Sequence, residues 1–271
     1  MKTLLICHSG EPVSRQGLSR WLASFSDLVG VIVLDEKKGR LRQRIRREIS
    51  RVGVLRFVDV LLFRIYYKLF LAAEDRRREQ SDLAELHDAF EAIPSSVPIL
   101  NTHSPNSKAA REFVEKVQPD IMLARCKTLL RERVFSIPSK GTFVMHPGVC
   151  PEYRNAHGCF WALAKGDIEN VGMTLLKIDA GVDTGPVFGF YSYDFDEVDE
   201  SHIVIQNRVV VKNLDLLKEK FIAIESGCAE PIDTSGRESS TWGQPWLSAY
   251  LKWKRQARKR AIGKKLSGEG S

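Results

Sequence analysis

Residues capable of proton transfer and of tight turns are concentrated between His146 and Pro186. This stretch contains His146, His157 and Asp183, and glycines and prolines lie close to all three. Histidine and carboxylate side chains exchange protons during catalysis, and glycine lets the backbone approach a ligand closely. These residue types therefore predict acid–base chemistry on loops that apolar segments hold in place.

Short apolar runs predict the strands that position these loops. The runs are residues 3–7, 28–34, 97–100, 121–124 and 141–145. Helix-like segments separate most of them, which is typical of a doubly wound α/β fold with a mostly parallel sheet. The ligand crevice of such a sheet lies at the carboxyl ends of its strands. His146 directly follows the last run and is therefore expected at that crevice.

The chain beyond His146 continues with alternating and helical patterns. Residues 172–178 and 187–193 read as two further strands, with the Asp179–Pro186 loop between them. Residues 199–223 carry apolar side chains at helical spacing and predict one long helix packed on the sheet.

Cysteine content and the N-terminus indicate the compartment. The five cysteines are an odd number without a CxxC pair, which argues against a disulfide framework and against a zinc site. Only four apolar residues separate Thr3 from His8, which is too short for a secretory signal. We therefore expect a cytoplasmic protein in a reducing environment.

Positive charge is unevenly distributed along the 271 residues. The net charge of +7 is concentrated at residues 37–51, 76–78 and 252–265. Such segments favour anionic partners without choosing between nucleic acid, lipid and phosphorylated substrates. The sequence contains no RNA-binding motif, so nucleic acid is not the expected partner.

A helical insertion is predicted over residues 37–92. Its basic part, 37–51, is followed by the largely apolar segment 52–73, in which charged residues are too frequent for a transmembrane span. One interpretation is a pair of helices packed on the domain. The other is a hairpin that binds a partner or lies on an anionic membrane, with residues 242–265 as a second contact and a peripheral location in the cell.

These segments give a domain organisation. Residues 1–225 are expected to form the catalytic domain, with the insertion inside it. Residues 226–271 are expected to form a basic, partly helical C-terminal extension with a disordered end.

The motifs around His146 and Asp183 resemble a known family. A strand ending in His146, the Pro151-Glu152-Tyr153-Arg154 loop, Trp161-Ala162, Gly172-Met173-Thr174 and the Asp179–Pro186 loop follow in order. In this order and spacing they resemble the catalytic domain of the 10-formyltetrahydrofolate-dependent formyltransferases. The resemblance implies a Rossmann-like formyltransferase fold, 10-formyltetrahydrofolate as formyl donor, and no metal.

The family's catalytic trio of Asn, His and Asp carries over only in part. The resemblance assigns His146 and Asp183 catalytic roles, whereas the Asn position falls on Val144. Loss of one oxyanion donor costs about 10²–10³ in rate. Asn155 or His157 is our candidate for a replacement donor.

The resemblance also implies where the folate lies. It places the folate against the segment around 122–130 and the Asp179–Pro186 loop, although Asp179 is expected to shape that loop rather than to react. The implied contacts are Met122, Leu123, Ala124, Arg125, Cys126, Leu129, Asp179, Gly181 and Val182.

The acceptor is expected to be a primary amine on a small molecule. Too few strand-like runs follow residue 225 for the C-terminal barrel of a methionyl-tRNA enzyme, and His8–Gly17 does not resemble the phosphate loop of the purine-biosynthetic enzyme. An amino-sugar is therefore the leading candidate. The alternatives are a folate-dependent hydrolase, and a catalytically weak family member that acts as a membrane-associated binding protein.

Overall fold

A seven-stranded sheet forms the centre of the protein. The computed structural model describes residues 1–35 and 41–267. The sheet order is β3-β2-β1-β4-β5-β7-β8; β5, β7 and β8 pair antiparallel and the other neighbours pair parallel. Its strands are β1 Lys2–His8, β2 Asp27–Leu34, β3 Ile99–Thr102, β4 Ile121–Arg125, β5 Gly141–His146, β7 Met173–Lys177 and β8 Val187–Tyr191. A two-stranded sheet pairs β6 Arg154–Asn155 with β9 Thr241–Trp242.

Helices cover both faces of this sheet. They are α1 Ser19–Phe25 (preceded by a π-helical turn, Val13–Leu18), α2 Leu41–Val52, α3 Val54–Tyr66, α4 Ala72–Ala89, α5 Lys108–Val117, α6 Glu132–Phe135, α7 Gly158–Lys165, α8 His202–Val211, α9 Leu214–Ser226 and α10 Leu247–Ser267. Another π-helical segment, Tyr67–Leu71, joins α3 to α4, and a 3₁₀ turn spans Ile168–Asn170.

The continuous apolar runs become strands because both sides of the sheet are buried. Leu4, Leu5, Ile6 and Cys7 of β1 are all fully buried. Leu5 and Cys7 face the layer that contains α1, α8 and α9, and Leu4 and Ile6 face the layer that contains α5 and α6. The predicted α/β fold with a mostly parallel sheet is confirmed.

The prediction of one long helix over residues 199–223 is wrong. The chain forms α8 and α9, which are separated at Lys212 and Asn213. The Asn213 side-chain amide donates to the Ser192 and Val209 carbonyl oxygens, at 2.9 and 2.7 Å. These bonds fix the break, and they depend on tertiary contact with residue 192 that helical periodicity does not encode.

We expect N213A to lower the free energy of unfolding by about 1–3 kcal/mol, because two buried carbonyl oxygens lose their donor. Urea denaturation measures this change. N170A is the matched control, since the amide of Asn170 bonds only to the side chain of Asp167 among the described residues. Equal stability of N213A and N170A would contradict this account of the break.

The insertion packs on the domain through one side of α3. Val60 and Phe63 are buried, and the Phe63 ring lies 5.9 Å from Phe160 and 5.4 Å from Tyr250. Residues 37–40 of the predicted insertion lie outside the described residues. Among the helices described, none is long and apolar enough to cross a membrane.

Residues after 226 contribute to the core. Tyr250, Trp253 and Ala257 of α10 are buried among residues of α3 and α7. The Asp59 carboxylate accepts hydrogen bonds from the backbone N–H and the hydroxyl of Ser248, in the first turn of α10. The end of the predicted disordered tail, residues 268–271, lies outside the described residues.

Candidate active site

His146 lies at the carboxyl end of β5 with both ring nitrogens engaged. Nδ1 is 3.4 Å from Oδ2 of Asp183, and Nε2 is 2.9 Å from the carbonyl oxygen of Tyr153. Both partners are acceptors, so the geometry is that of an imidazolium donating two hydrogen bonds. The side chain is 4% exposed, whereas that of Asp183 is 16% exposed. The carboxylate is therefore the member of the pair that solvent or a ligand reaches.

Electrostatics stabilise this pair as ions. Burial opposes the charge on His146, but hydrogen bonds to Asp183 and Cys150 and the charge of Asp183 outweigh it and raise the pKa of His146 to about 10. Burial likewise opposes the charge on Asp183, but His146 and the backbone N–H of Asn155 lower the pKa of the carboxyl. The site therefore holds an imidazolium and a carboxylate at neutral pH.

The pH dependence of stability follows from the sign of these shifts. Because the pKa of His146 is raised, its contribution is fully present below pH 6.5 and is lost as pH rises through about 10. We expect the free-energy difference between wild type and H146N to shrink between those two pH values, as measured by urea denaturation. Burial lowers the pKa of Lys254 to about 8, but this residue is present in both proteins and cancels in the difference. A difference that is constant over this window would contradict the ion pair.

The loop that carries Asp183 is built by side-chain bonds to Asp179. The Asp179 carboxylate accepts from the backbone N–H of Gly181 at 2.9 Å and from the hydroxyl of Thr184 at 2.8 Å. A Cβ at Gly181 would collide with the Thr184 side chain, and one at Gly185 with the Lys177 carbonyl. Asp183 itself has a left-handed backbone, φ +52°, which the surrounding bonds must stabilise.

Asn155 supports Asp183 through its backbone rather than its side chain. Its N–H donates to Oδ2 of Asp183 at 2.8 Å, while its side-chain amide donates to the Trp242 carbonyl at 2.6 Å. Asn155 also has a positive φ of +77°. The amide predicted to replace the missing oxyanion donor is thus engaged in the β6–β9 pairing.

His157 begins α7 in the left-handed region, φ +57°. Burial lowers its pKa to about 4, and the charges of Lys127 and Arg64 add to the effect. The neutral ring lies 5.9 Å from that of His202. Positive charge from Arg64 of α3 and from Lys127 thus acts on His157.

Val144 shares a face of β5 with His146 but lies in an apolar setting. It packs against the buried side chains of Cys150, Leu176 and Val187. Residue 144 therefore offers no polar group beside His146 at the position where the family has an amide.

The segment predicted to bind the folate divides into a buried and an accessible part. Met122, Leu123 and Ala124 are buried between the sheet and its two helical layers. Arg125, Cys126 and Leu129 follow at the strand end, where Leu129 is 64% exposed. On the facing loop, the Val182 carbonyl accepts from Nη1 of Arg154 at 3.3 Å.

Two buried donors at neighbouring strand ends have no acceptor among the described residues. Nη1 of Arg125 donates to the Met145 carbonyl at 2.9 Å, but its Nε is buried without a partner. Nε2 of His8 accepts from the backbone N–H of Lys127 at 3.2 Å, so its proton resides on the unpartnered Nδ1. Because β1 and β4 are adjacent, these donors predict a ligand rich in oxygen acceptors at this edge.

Sequence reasoning missed the contacts that Arg237 and Trp242 make with the loop at residues 151–154. Trp242 stacks on Trp161 and Tyr153, with ring centroids at 5.0 and 5.9 Å, and donates from Nε1 to the Glu152 carbonyl. Arg237 bonds the Glu152 carboxylate with two nitrogens, at 2.7 and 2.9 Å. Three tryptophans in 242–253 were the available signal, since aromatic residues at such density are more often buried than exposed.

Metal binding and cavities are two further aspects of the residues that the structure describes. Across residues 1–35 and 41–267, no group of three or more His, Cys, Asp or Glu side chains is arranged to hold a metal ion. Cavities lined by Asp75 and Asn207, and by Asp27 and Pro94, are lined by none of the residues predicted for the site.

Comparison with known proteins identifies a family for this chain. The sequence model of the formyl transferase family matches residues 74–220. A methionyl-tRNA formyltransferase from Pelobacter propionicus is 27% identical over 171 residues, which cover 62% of this chain and 52% of that protein. The chain thus spans about half the length of this relative.

Solved structures share the fold. A phosphoribosylglycinamide formyltransferase from Anaplasma phagocytophilum superposes with a TM-score of 0.54 at 10% identity, covering 90% of this chain and 99% of that one. A sugar N-formyltransferase from a Shewanella species gives 0.52 at 11% identity, covering 93% and 87%.

Proposed function

The chain belongs to the formyl transferase family, and from this premise we propose that it transfers a formyl group from 10-formyltetrahydrofolate to a primary amine of a small molecule. The observation that carries the proposal is the His146–Asp183 ion pair at the carboxyl edge of the sheet. The two residues come from segments far apart in sequence. A third segment contributes the backbone N–H of Asn155, which donates a hydrogen bond to Asp183.

Asp183 is the group that meets the attacking amine. Among the described residues, its hydrogen bonds with His146 and Asn155 both converge on Oδ2, which leaves Oδ1 to accept a hydrogen bond from the amine. This hydrogen bond orients the nitrogen lone pair of the amine toward the formyl carbon. The Asp183 carboxylate then receives the proton as the new C–N bond forms.

His146 supplies positive charge that is already in place before reaction. The buried imidazolium stabilises Asp183 and the negative charge that develops on the formyl oxygen, and it is the proton source nearest to the carboxylate. When the bond between the formyl carbon and the folate nitrogen breaks, the proton removed from the amine is delivered to that nitrogen. The net change is one formyl group exchanged for one proton.

The residues at the β4 edge fit the formyl donor. Folates carry carbonyl and carboxylate oxygens, and the edge presents unpartnered donors on Arg125 and His8 beside the exposed Leu129. We assign Arg125, Cys126 and Leu129 to direct contact with the folate, and Met122, Leu123 and Ala124 to the strand that positions them. Asp179, Gly181 and Val182 shape the opposite loop.

Arg125 also offers the donor that Val144 lacks. Its guanidinium bonds the carbonyl of Met145, which lies between Val144 and His146 on β5. A charged donor at this point supports the formyl oxygen in place of the family amide, while Asn155 has its amide committed to Trp242.

An amino-sugar is the acceptor that we propose to test first. Arg125 lies at the strand end beside Met145, and Arg64 acts on His157, so positive charge is available to an acceptor that also carries a phosphate or another anionic group. Methionyl-tRNA belongs in the same panel, because the Pelobacter propionicus relative is a methionyl-tRNA formyltransferase.

The deciding experiment follows the release of tetrahydrofolate from 10-formyltetrahydrofolate by the purified chain, with and without acceptors. Release that requires an amine, together with a formylated product by mass spectrometry, supports transfer. Release of formate without an amine would instead establish a hydrolase. If tetrahydrofolate is released neither with nor without an acceptor, the proposal is overturned and a binding protein is favoured.

A further inference from the structure

The insertion exposes an apolar stripe that the core does not use. Leu55 is 88% exposed and Leu69 is 69% exposed. Between them, Val58, Leu62 and Ile65 are each about half exposed and continue the same row at alternating spacings of three and four residues. We call this row the hairpin stripe. Clustered exposed apolar side chains of this kind mark an interaction surface.

The stripe belongs to a helix that is firmly anchored. On the opposite side of α3, Phe63 packs against Phe160, His202 and Tyr250, with ring centroids 5.4–5.9 Å apart. Arg56 stacks over the Trp246 ring at 4.1 Å. The inner side of α3 is therefore packed against the domain, and the stripe on its other side faces outward.

Positive charge surrounds the stripe. Arg64 of α3 and Lys68 of the π-helical segment that follows it are both exposed. Helices α2 and α10 both pack against α3. Of the α2 side chains that the structure describes, Arg46 and Arg51 are exposed, and α10 exposes Lys252, Arg255, Arg258 and Lys259. An apolar row within a cationic field is complementary to a surface that offers acyl chains beneath anionic head groups.

We propose that the hairpin stripe docks the protein on an anionic lipid bilayer, with its leucines, valine and isoleucine at the head-group–acyl boundary and the flanking cations on lipid phosphates. Alternating spacings of three and four also suit a coiled-coil seam with a second copy. Two copies paired through the stripe would bring like-charged helices together, whereas anionic lipid neutralises them. The charge pattern therefore favours the bilayer.

Helix α3 links the stripe to the neighbourhood of His157. Phe63 on the inner side of α3 contacts His202, and the charge of Arg64 acts on His157. The inference does not rest on formyl transfer, because it follows from exposure and charge alone.

The test is co-sedimentation of the full chain with vesicles of phosphatidylcholine, alone or with about one third phosphatidylglycerol. We expect binding only to the anionic vesicles, weakening as salt rises. L55E/L69E should lower the partition coefficient about tenfold or more, because two exposed leucines no longer enter the interface. K68E/R46E should act in the same direction through charge.

Matched controls lie on other helices. L216E/I222E changes two exposed apolar residues on α9, and K108E/K116E changes two exposed lysines on α5. Both controls should bind like wild type. Equal loss in the control and stripe variants, or no binding to anionic vesicles, would overturn the proposal. So would a wild-type dimer in sedimentation equilibrium that L55E/L69E converts to monomer, since the stripe would then serve a second copy.

Discussion

Replacing Asp183 by asparagine (D183N) is expected to lower kcat/KM for formyl transfer by about 10²–10⁴. The variant keeps the size of the side chain but removes the only carboxylate within reach of His146 among the described residues. Burial then acts on the imidazole with only Cys150 opposing it, so the pKa of His146 falls. One substitution thus removes the acceptor for the amine and weakens the positive charge beside the formyl oxygen.

Two readouts distinguish this effect from simple unfolding. Histidine ring NMR over a pH series should show a lower pKa for His146 in D183N than in wild type, with circular dichroism unchanged. D194N, at an exposed aspartate of the 192–196 loop, is the matched control and should retain full activity. Near wild-type turnover in D183N would remove Asp183 from the mechanism, whatever the NMR result.

The sheet could be predicted because its strands are buried on both faces. Leu4–Cys7 and Ile121–Ala124 read as uninterrupted apolar runs, and each ends in a polar residue at the same edge. The same regularity in β5 is sufficient to place His146 at that edge. The break at Asn213 could not be predicted in the same way, because it depends on a hydrogen bond to the Ser192 carbonyl on another segment.

The C-terminal extension carries a helical signal that its charge obscures. Tyr250, Trp253 and Ala257 recur at helical spacing and are all buried, although lysines and arginines dominate the segment. Lys254 is itself buried, and its ammonium donates to three carbonyls of the 197–200 loop. The density of charge favours a solvated tail, whereas the apolar period indicates a packed helix.

The candidate site also has contacts that the sequence predicts and contacts that it does not. The sequence motif paired His146 with Asp183, and the structure places them 3.4 Å apart. The contacts from the Tyr153 carbonyl and the Asn155 N–H could not be predicted, because backbone groups occur at every residue and have no sequence signature. For the same reason, the hydrogen bond from the Asn155 side-chain amide to the Trp242 carbonyl could not be predicted.

The second large effect on activity is expected at Arg125, because Val144 stands where the family has an amide donor. R125M removes the charged donor next to the Met145 carbonyl while keeping an unbranched apolar stem. We expect kcat to fall by about 10²–10³, as for loss of one oxyanion donor, and KM to rise by a smaller factor because Arg125 also contacts the folate. R131M, at an exposed arginine just before α6, is the control and should leave both constants unchanged.

A double variant tests whether Arg125 and the family amide are alternatives. V144N places an amide on the face of β5 that carries His146, at some cost in stability, because Val144 now packs against Cys150, Leu176 and Val187. If Arg125 fills the missing role, V144N/R125M should recover part of the kcat that R125M loses. A rise in KM with unchanged kcat in R125M, and no recovery in the double variant, would instead assign Arg125 to folate binding alone. In that case the His146 imidazolium alone would stabilise the negative charge on the formyl oxygen. H146N should then lower kcat more than any other single substitution at the site.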